Sequence, residues 1–223
     1  MDDGPWSGLG ALGWFLSLWL VMMAAMMFPS VAPTVALFAR MSGGSRVRPL
    51  VFTGGYLLTW VGAGLAAFVI GLTATGLAGD ALSWERAGRP VAGAVLVIAA
   101  GYELTPLKDV CLGRCRSPLG ALLGSWRDGW LGAARMGAKN GAWCLGCCWA
   151  LMASLFALGV MSVVWMTVVA AFIALEKLLP WRRTATYGTA AILLLLGVLV
   201  LLAPNALPGL TVPSDGQMPA MSR

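Results

Sequence analysis

Long apolar runs, separated by short stretches where the charges collect, dominate the hydropathy pattern of this chain. A bilayer core of about 30 Å is crossed by about 20 apolar residues of helix. Runs of roughly that order extend from about Leu9 to Ala39, Leu50 to Ala78, Pro90 to Pro106 and Ala185 to Leu202, the last stopping at Pro204. The run from Trp143 to Leu179 is too long for one crossing, since about 37 residues of helix would measure about 55 Å. A break near Gly159 to Ser162 divides it into helices Trp143–Leu158 and Val163–Leu179, which makes six spans.

The basic residues test that division, because short cytoplasmic loops collect Lys and Arg and exported loops do not. The first loop holds Arg40, Arg46 and Arg48, the third Lys108, Arg114, Arg116, Arg127, Arg135 and Lys139, and the fifth Lys177, Arg182 and Arg183. The second holds Arg86 and Arg89, offset by Asp80 and Glu85, and the fourth holds none. Six spans with both termini outside therefore put most of the positive charge in the cytoplasm. Without the break, Arg182 and Arg183 would be exported.

The start Met1-Asp2-Asp3 lacks the basic region of a cleavable signal peptide, so the first helix reads as a reverse signal anchor. Residues 1–204 form one transmembrane helical domain in this reading, and 205–223, rich in Pro, Gly and Ser, a flexible external tail. The loop from about Lys108 to Ala142 mixes Leu122, Leu123, Trp126, Trp130, Leu131 and Met136 with Arg127 and Arg135. That mixture suits either an amphipathic helix in the cytoplasmic interface between spans 3 and 4 or a helix packed on the bundle.

Composition narrows the class further. With 59% apolar and 11% charged residues the chain is neither an ordinary soluble domain nor a disordered one. A net charge of +6 spread this thinly sets membrane orientation and is poor material for nucleic-acid binding. The absence of His removes the commonest general base and the commonest metal ligand. No phosphate-binding loop is present either, so expectation turns away from an enzyme.

Soft donors remain. Cys144, Cys147 and Cys148 share one helix face by their i, i+3, i+4 spacing. Asn140 is placed to cap that helix, whose first-turn amides would favour thiolate over thiol. Cys111 and Cys115 lie four apart just past the third span, and if the segments meet, up to five thiols share a pocket. All five fall on the cytoplasmic side, where structural disulfides are not expected. Clustered thiolates select Cu(I), Zn(II) or iron–sulfur clusters, whereas a single Cys is often only a small apolar residue.

Met22, Met23, Met26 and Met27 pair at i, i+4 in the first span, where thioethers would suit Cu(I) or merely fill gaps between helices. Pro29 and Pro33 follow, and the carbonyls they free need a neighbour or a cavity. Glu103, with Lys108 and Asp109 just below, is either a counter-charge to Lys108 or a carboxylate on a metal pathway. Glu176 and Lys177 read as an interfacial ion pair.

The stretches Trp19 to Pro29, Gly101 to Leu112 and Gly141 to Met152, the last with Cys144, Cys147, Cys148 and Trp149, resemble a bacterial integral membrane family catalogued as domain of unknown function 2182 and described as predicted metal-binding. The resemblance runs from about Leu9 to Leu202 and implies metal binding. The family pattern often has a His where this chain has Asn140, a departure that shifts preference toward an all-sulfur site.

The resulting expectation is an all-α polytopic bundle in the bacterial inner membrane. It binds a soft metal, Cu(I) before Zn(II), for transport or delivery, with a metallochaperone or another membrane protein as partner and no nucleic acid. Two alternatives stay open: a membrane thiol redox protein exchanging Cys144 and Cys147 with Cys111 and Cys115, and a non-catalytic subunit or assembly factor of a membrane complex.

Overall fold

The computed structural model describes residues 9–78, 89–124, 126–158, 163–178 and 182–202. Among these the chain is helical throughout, in the order α1 (Leu9–Met41), α2 (Val47–Ala78), α3 (Arg89–Glu103), α4 (Pro106–Arg116), α5 (Pro118–Leu123), α6 (Gly129–Leu158), α7 (Val163–Leu178) and α8 (Arg182–Leu202). Within α1, α2 and α8, three segments are long and apolar enough to cross a membrane: Gly10–Met41, Val47–Ala74 and Arg183–Leu202. The bent pair α3–α4 makes a fourth if it is one span. Their outward faces carry exposed Leu18, Val21, Leu58, Ile70, Ile98 and Leu195, apolar surface that lipid would cover. By length and composition these are candidate membrane spans.

The bend between α3 and α4 is 68° and has a local cause. Pro106 has no amide to give Tyr102, so the Thr105 amide and hydroxyl donate to the Tyr102 carbonyl instead, at 2.9 and 2.7 Å. Thr105 then caps α4, accepting from the Lys108 amide, with Pro106 in the first turn. The turn aims Cys111 and Cys115 back at the bundle.

The long run beginning at Trp143 resolves differently from expectation at one end. α6 stops at Leu158 and α7 starts at Val163, on either side of the anticipated break, whose own residues 159–162 lie outside the described ones. At its start, however, α6 does not open near Trp143. It begins at Gly129 and runs through Asn140 without interruption, so Asn140 caps nothing and Cys144 is a mid-helix residue. Nothing between Gly129 and Trp143 breaks a helix, since the stretch holds no Pro and its glycines cost only about 1 kcal/mol each.

The single amphipathic helix anticipated over Lys108–Ala142 is correspondingly absent. That segment comprises α4, α5 and the first half of α6. Leu122, Ala133 and Met136 are buried in a cluster with Phe38 and Phe52, while Trp130 and Leu131 are exposed. The segment therefore packs on the bundle along one face. At about 45 Å for 30 residues α6 exceeds the hydrocarbon core, and α7, at about 24 Å for 16, falls short of it.

The most extensive pairing is α2 on α6. It needs close backbone approach, because a β-carbon at Gly137 would overlap the Phe52 carbonyl. Thr59 Oγ1 donates to the Ala138 carbonyl at 3.0 Å across the same seam. α8 packs mainly on α3. The main core runs between α1, α2, α3, α4, α6, α7 and α8, and Cys111, Cys144, Cys147 and Cys148 are part of it. The domain limit at 204 and the tail 205–223 lie outside the described residues.

Candidate metal centre

The thiols meet where α1, α4, α6 and α7 converge. The i+4 rows Met136, Asn140, Cys144, Cys148 and Arg135, Lys139, Trp143, Cys147 lie side by side along α6. Cys147 Sγ and Cys115 Sγ of α4 are 3.6 Å apart. Cys111 sits against the backbone of the cysteine element, since a β-carbon at Gly146 would lie 2.9 Å from its Sγ. Tyr102 of α3 donates its hydroxyl hydrogen bond to the Gly146 carbonyl.

Cys144 has the most varied surroundings. Its Sγ lies 3.9 Å from Met27 Sδ, 3.2 Å from the Tyr56 hydroxyl and 3.2 Å from Lys177 Nζ. Lys177 also donates to Ser30 Oγ at 3.1 Å. A cavity of about 10 Å³, enough for about one water-sized particle, is lined by Ser30, Thr34, Cys115, Asn140, Cys144 and Lys177. It opens directly beside Pro29 and Pro33, in agreement with the expectation that this stretch borders a cavity.

The thiols approach in pairs rather than as one five-membered cage. Among the described residues no three Cys, Asp or Glu side chains form a group that could hold a metal ion. Cys147 and Cys148 instead donate to the Cys144 carbonyl, at 3.1 and 2.8 Å. Such i−4 and i−3 bonds to the helix's own backbone are the default of a buried thiol without another acceptor. The 3.6 Å of Cys115–Cys147 and the 3.9 Å of Cys144–Met27 are contact distances, which bring two soft donors together at each pair.

The methionines divide. Met27 reaches Cys144, while Met23 and Met26 are buried in the core and Met22 packs at its edge. Glu103 forms an ion pair with Lys108, the counter-charge alternative, and Lys108 bonds Glu176 at 2.7 Å. All three are buried. Arg116 donates to the Glu176 carbonyl at 2.8 Å. Asp109 is exposed, and neither it nor Glu103 lines the small cavity.

The expected pair of Glu176 with Lys177 does not form. Adjacent residues on a helix point about 100° apart, so Glu176 turns to Lys108 and Lys177 to Cys144. Lys177 and Tyr56 were thus missed as neighbours of the thiols. The Lys177 charge at the end of an apolar run was a signal for it; Tyr56 stands in an apolar helix with no comparable mark.

The class these features define is a helical protein with candidate membrane spans and a His-free group of thiols and a thioether among its buried residues. A model of the copper chaperone family PpoB2 matches residues 16–200, and the chain belongs to that family. No curated protein and no solved structure matches it.

Proposed function

We propose that this copper chaperone family member is a six-span protein of the bacterial cytoplasmic membrane, with both termini outside, that takes Cu(I) as cargo through its cytoplasmic thiols and delivers it onward. Residues 1–204 are the transmembrane domain and 205–223 the tail. The observation that carries the reading is Cys144, flanked by Met27, Tyr56 and Lys177, beside the Cys115–Cys147 pair.

The roles follow from donor chemistry. Cys115 and Cys147 supply a thiolate pair, with Cys111 and Cys148 as neighbouring thiols, and thiolates hold soft ions most firmly. Cys144 with Met27 offers a thiolate–thioether pair nearer the middle of α1, a weaker site to which an ion could step. Met22, Met23 and Met26 would extend that route inward. Charge supports a monovalent ion held between Cys115 and Cys144, which line one cavity with Lys177: those two thiolates, one Cu(I) and the ammonium sum to zero, whereas Zn(II) leaves one uncompensated positive charge. Uncompensated charge is costly at membrane depth. Zinc also prefers four closed ligands, and the thiols here stand in pairs. The donor or acceptor would be a metallochaperone or another membrane protein.

The 3.6 Å approach of Cys115 and Cys147 also favours, second, a thiol redox couple. Elemental analysis of the full chain, purified reduced and anaerobic, separates the two. Near-stoichiometric copper that disappears when Cys144, Cys147 and Cys148 are all changed to Ser is the expected result; a parent still empty after loading with Cu(I) would sink the copper reading.

A further inference from the structure

The small thiol cavity shares a lining residue with a second cavity, which in turn shares three with a larger one. A cavity of about 620 Å³ is lined by Leu123, Gly124, Trp126, Arg127, Arg135, Met136 and Lys139. A narrow one of about 20 Å³ shares Gly124, Met136 and Lys139 with it and adds Arg114, Asn140 and Trp143. Asn140 then belongs also to the thiol cavity, with Cys115, Cys144 and Lys177. The whole route follows the two i+4 rows of α6. From Arg135 to Cys144 it spans about 14 Å of helix.

Its lining carries one sign of charge. Arg114, Arg127, Arg135, Lys139 and Lys177 stand along the route, and no carboxylate lines any of the three cavities. Among the described residues none of Arg127, Arg135 and Lys139 forms an ion pair. Asp128, the nearest acid in sequence, accepts from Trp126 Nε1 at 3.2 Å. Arg114 lies over the Trp143 ring, 5.7 Å from its centroid, which holds its charge beside the passage. Such a cleft repels a bare cation and concentrates anions. The outer cavity lies in the size range of small-molecule sites, about 300–1,000 Å³.

Resting on the copper reading above, we propose that the outer cavity is a docking site for an anionic Cu(I)–dithiolate complex of a small carboxylated thiol, and that Cu(I) reaches the cysteines by ligand exchange from that complex rather than as a free ion. The step balances without redox change. One complex, Cu(SR)₂ with charge −1, and two cysteine thiols give one protein-bound Cu(S-Cys)₂ with charge −1 and two free RSH. Copper stays Cu(I), and each cysteine proton leaves on a departing thiolate. The basic lining has three tasks in this scheme. It attracts the complex, holds the carboxylates of its carrier, and, at Lys177, meets the charge of the product.

The test is a stopped-flow loading experiment on the full chain in lipid nanodiscs, under anaerobic conditions. Copper is offered either as its anionic glutathione complex or as its cationic acetonitrile complex. The comparison is with the variant Arg127→Gln/Arg135→Gln/Lys139→Gln, whose changes touch none of the thiols. Expected is loading from the anionic complex at least about tenfold slower in the variant and strongly weakened by salt in the parent. Loading from the cationic complex should be unchanged or faster in the variant, and final copper stoichiometry equal.

Equal rates from both carriers in parent and variant would overturn the docking site while leaving the copper reading intact. A parent that takes copper from neither carrier would overturn both. The same basic groups could hold a phospholipid headgroup. If the variant loses co-purified anionic lipid while its loading rates stay at parent values, the cavity is a headgroup site and the proposal fails.

Discussion

Replacing Lys177 by Leu removes its charge and adds no sulfur donor beside Cys144. In the folded protein Nζ lies 3.2 Å from Cys144 Sγ and 3.1 Å from Ser30 Oγ. Around Cu(I), the thiolates of Cys115 and Cys144, which share a cavity with Lys177, leave one net negative charge for the ammonium to meet; around Zn(II) they leave none, and the ammonium opposes binding. Two full charges at the observed 3.2 Å would interact by about 5 kcal/mol at an effective dielectric constant of 20, an upper bound. A hydrogen bond to a charged group nets about 1.5–3 kcal/mol. Lys177 is only half-buried, which favours the lower end. The Lys177→Leu protein should therefore bind Cu(I) about 10- to 100-fold more weakly while keeping its Zn(II) affinity or gaining some. Anaerobic competition against a chromophoric Cu(I) chelator, with a parallel Zn(II) titration, measures both. Lys177→Arg retains charge and should recover most of the Cu(I) affinity. Copper binding within about twofold of the parent in Lys177→Leu, or an equal loss for both metals, would refute the charge argument.

Three further changes probe the surroundings. Lys108→Met leaves Glu103 and Glu176 buried without their cation, a loss of about 3–5 kcal/mol and roughly 6–20 °C in Tm; adding Glu103→Gln and Glu176→Gln should restore most of it, and a thermal shift of the single variant of under about 2 °C would dismiss the buried triad. Met27→Leu preserves volume and should cost under about 1.5 kcal/mol of stability, yet weaken Cu(I) binding by about tenfold, which chelator competition would detect. Cys147→Ser should reduce affinity well beyond Cys148→Ser, because Cys147 faces Cys115 while the Cys148 thiol is committed to the Cys144 carbonyl; the reverse order would contradict the pairing.

Hydropathy made the helices readable because in lipid a helix is the one structure in which a single apolar run satisfies its own backbone. The anticipated break at 159–162 lies outside the described residues, while the turn at Pro106 was legible for the same local reasons. The start of α6 was not. An apolar window registers where hydrophobicity begins, whereas Gly129 to Trp143 is polar enough to look like a loop and still propagates as helix against α2. For the site, spacing along α6 revealed which thiols share a face, but only tertiary packing could say that Met27 of the four methionines reaches them and that Asn140 lines the passage to them. The pairing of Glu176 with Lys177 failed on direction: neighbours in sequence diverge on a helix, and each found its partner across the bundle.

That divergence places opposite charges on adjacent residues of α7 into two separate environments. Glu176 joins Lys108 and Glu103, which ties α4 to α3 and α7 and so holds Cys111 and Cys115 against α6. Lys177 turns instead toward α1 and α6, to a sulfur. A half-buried cation facing a thiol in a His-free chain has an evident use when that thiol and its neighbour across the cavity, Cys144 and Cys115, are both ionised and hold a monovalent metal between them. The product is then neutral, and neutrality is what allows such a centre to sit among apolar helices without a compensating ion from solvent. A histidine at the position of Asn140 would add a donor there but no negative charge, so the balance set by Lys177 would survive it; a second cation would not be tolerated so easily. The arrangement of charge, more than the number of sulfurs, is therefore what points to copper in its monovalent state.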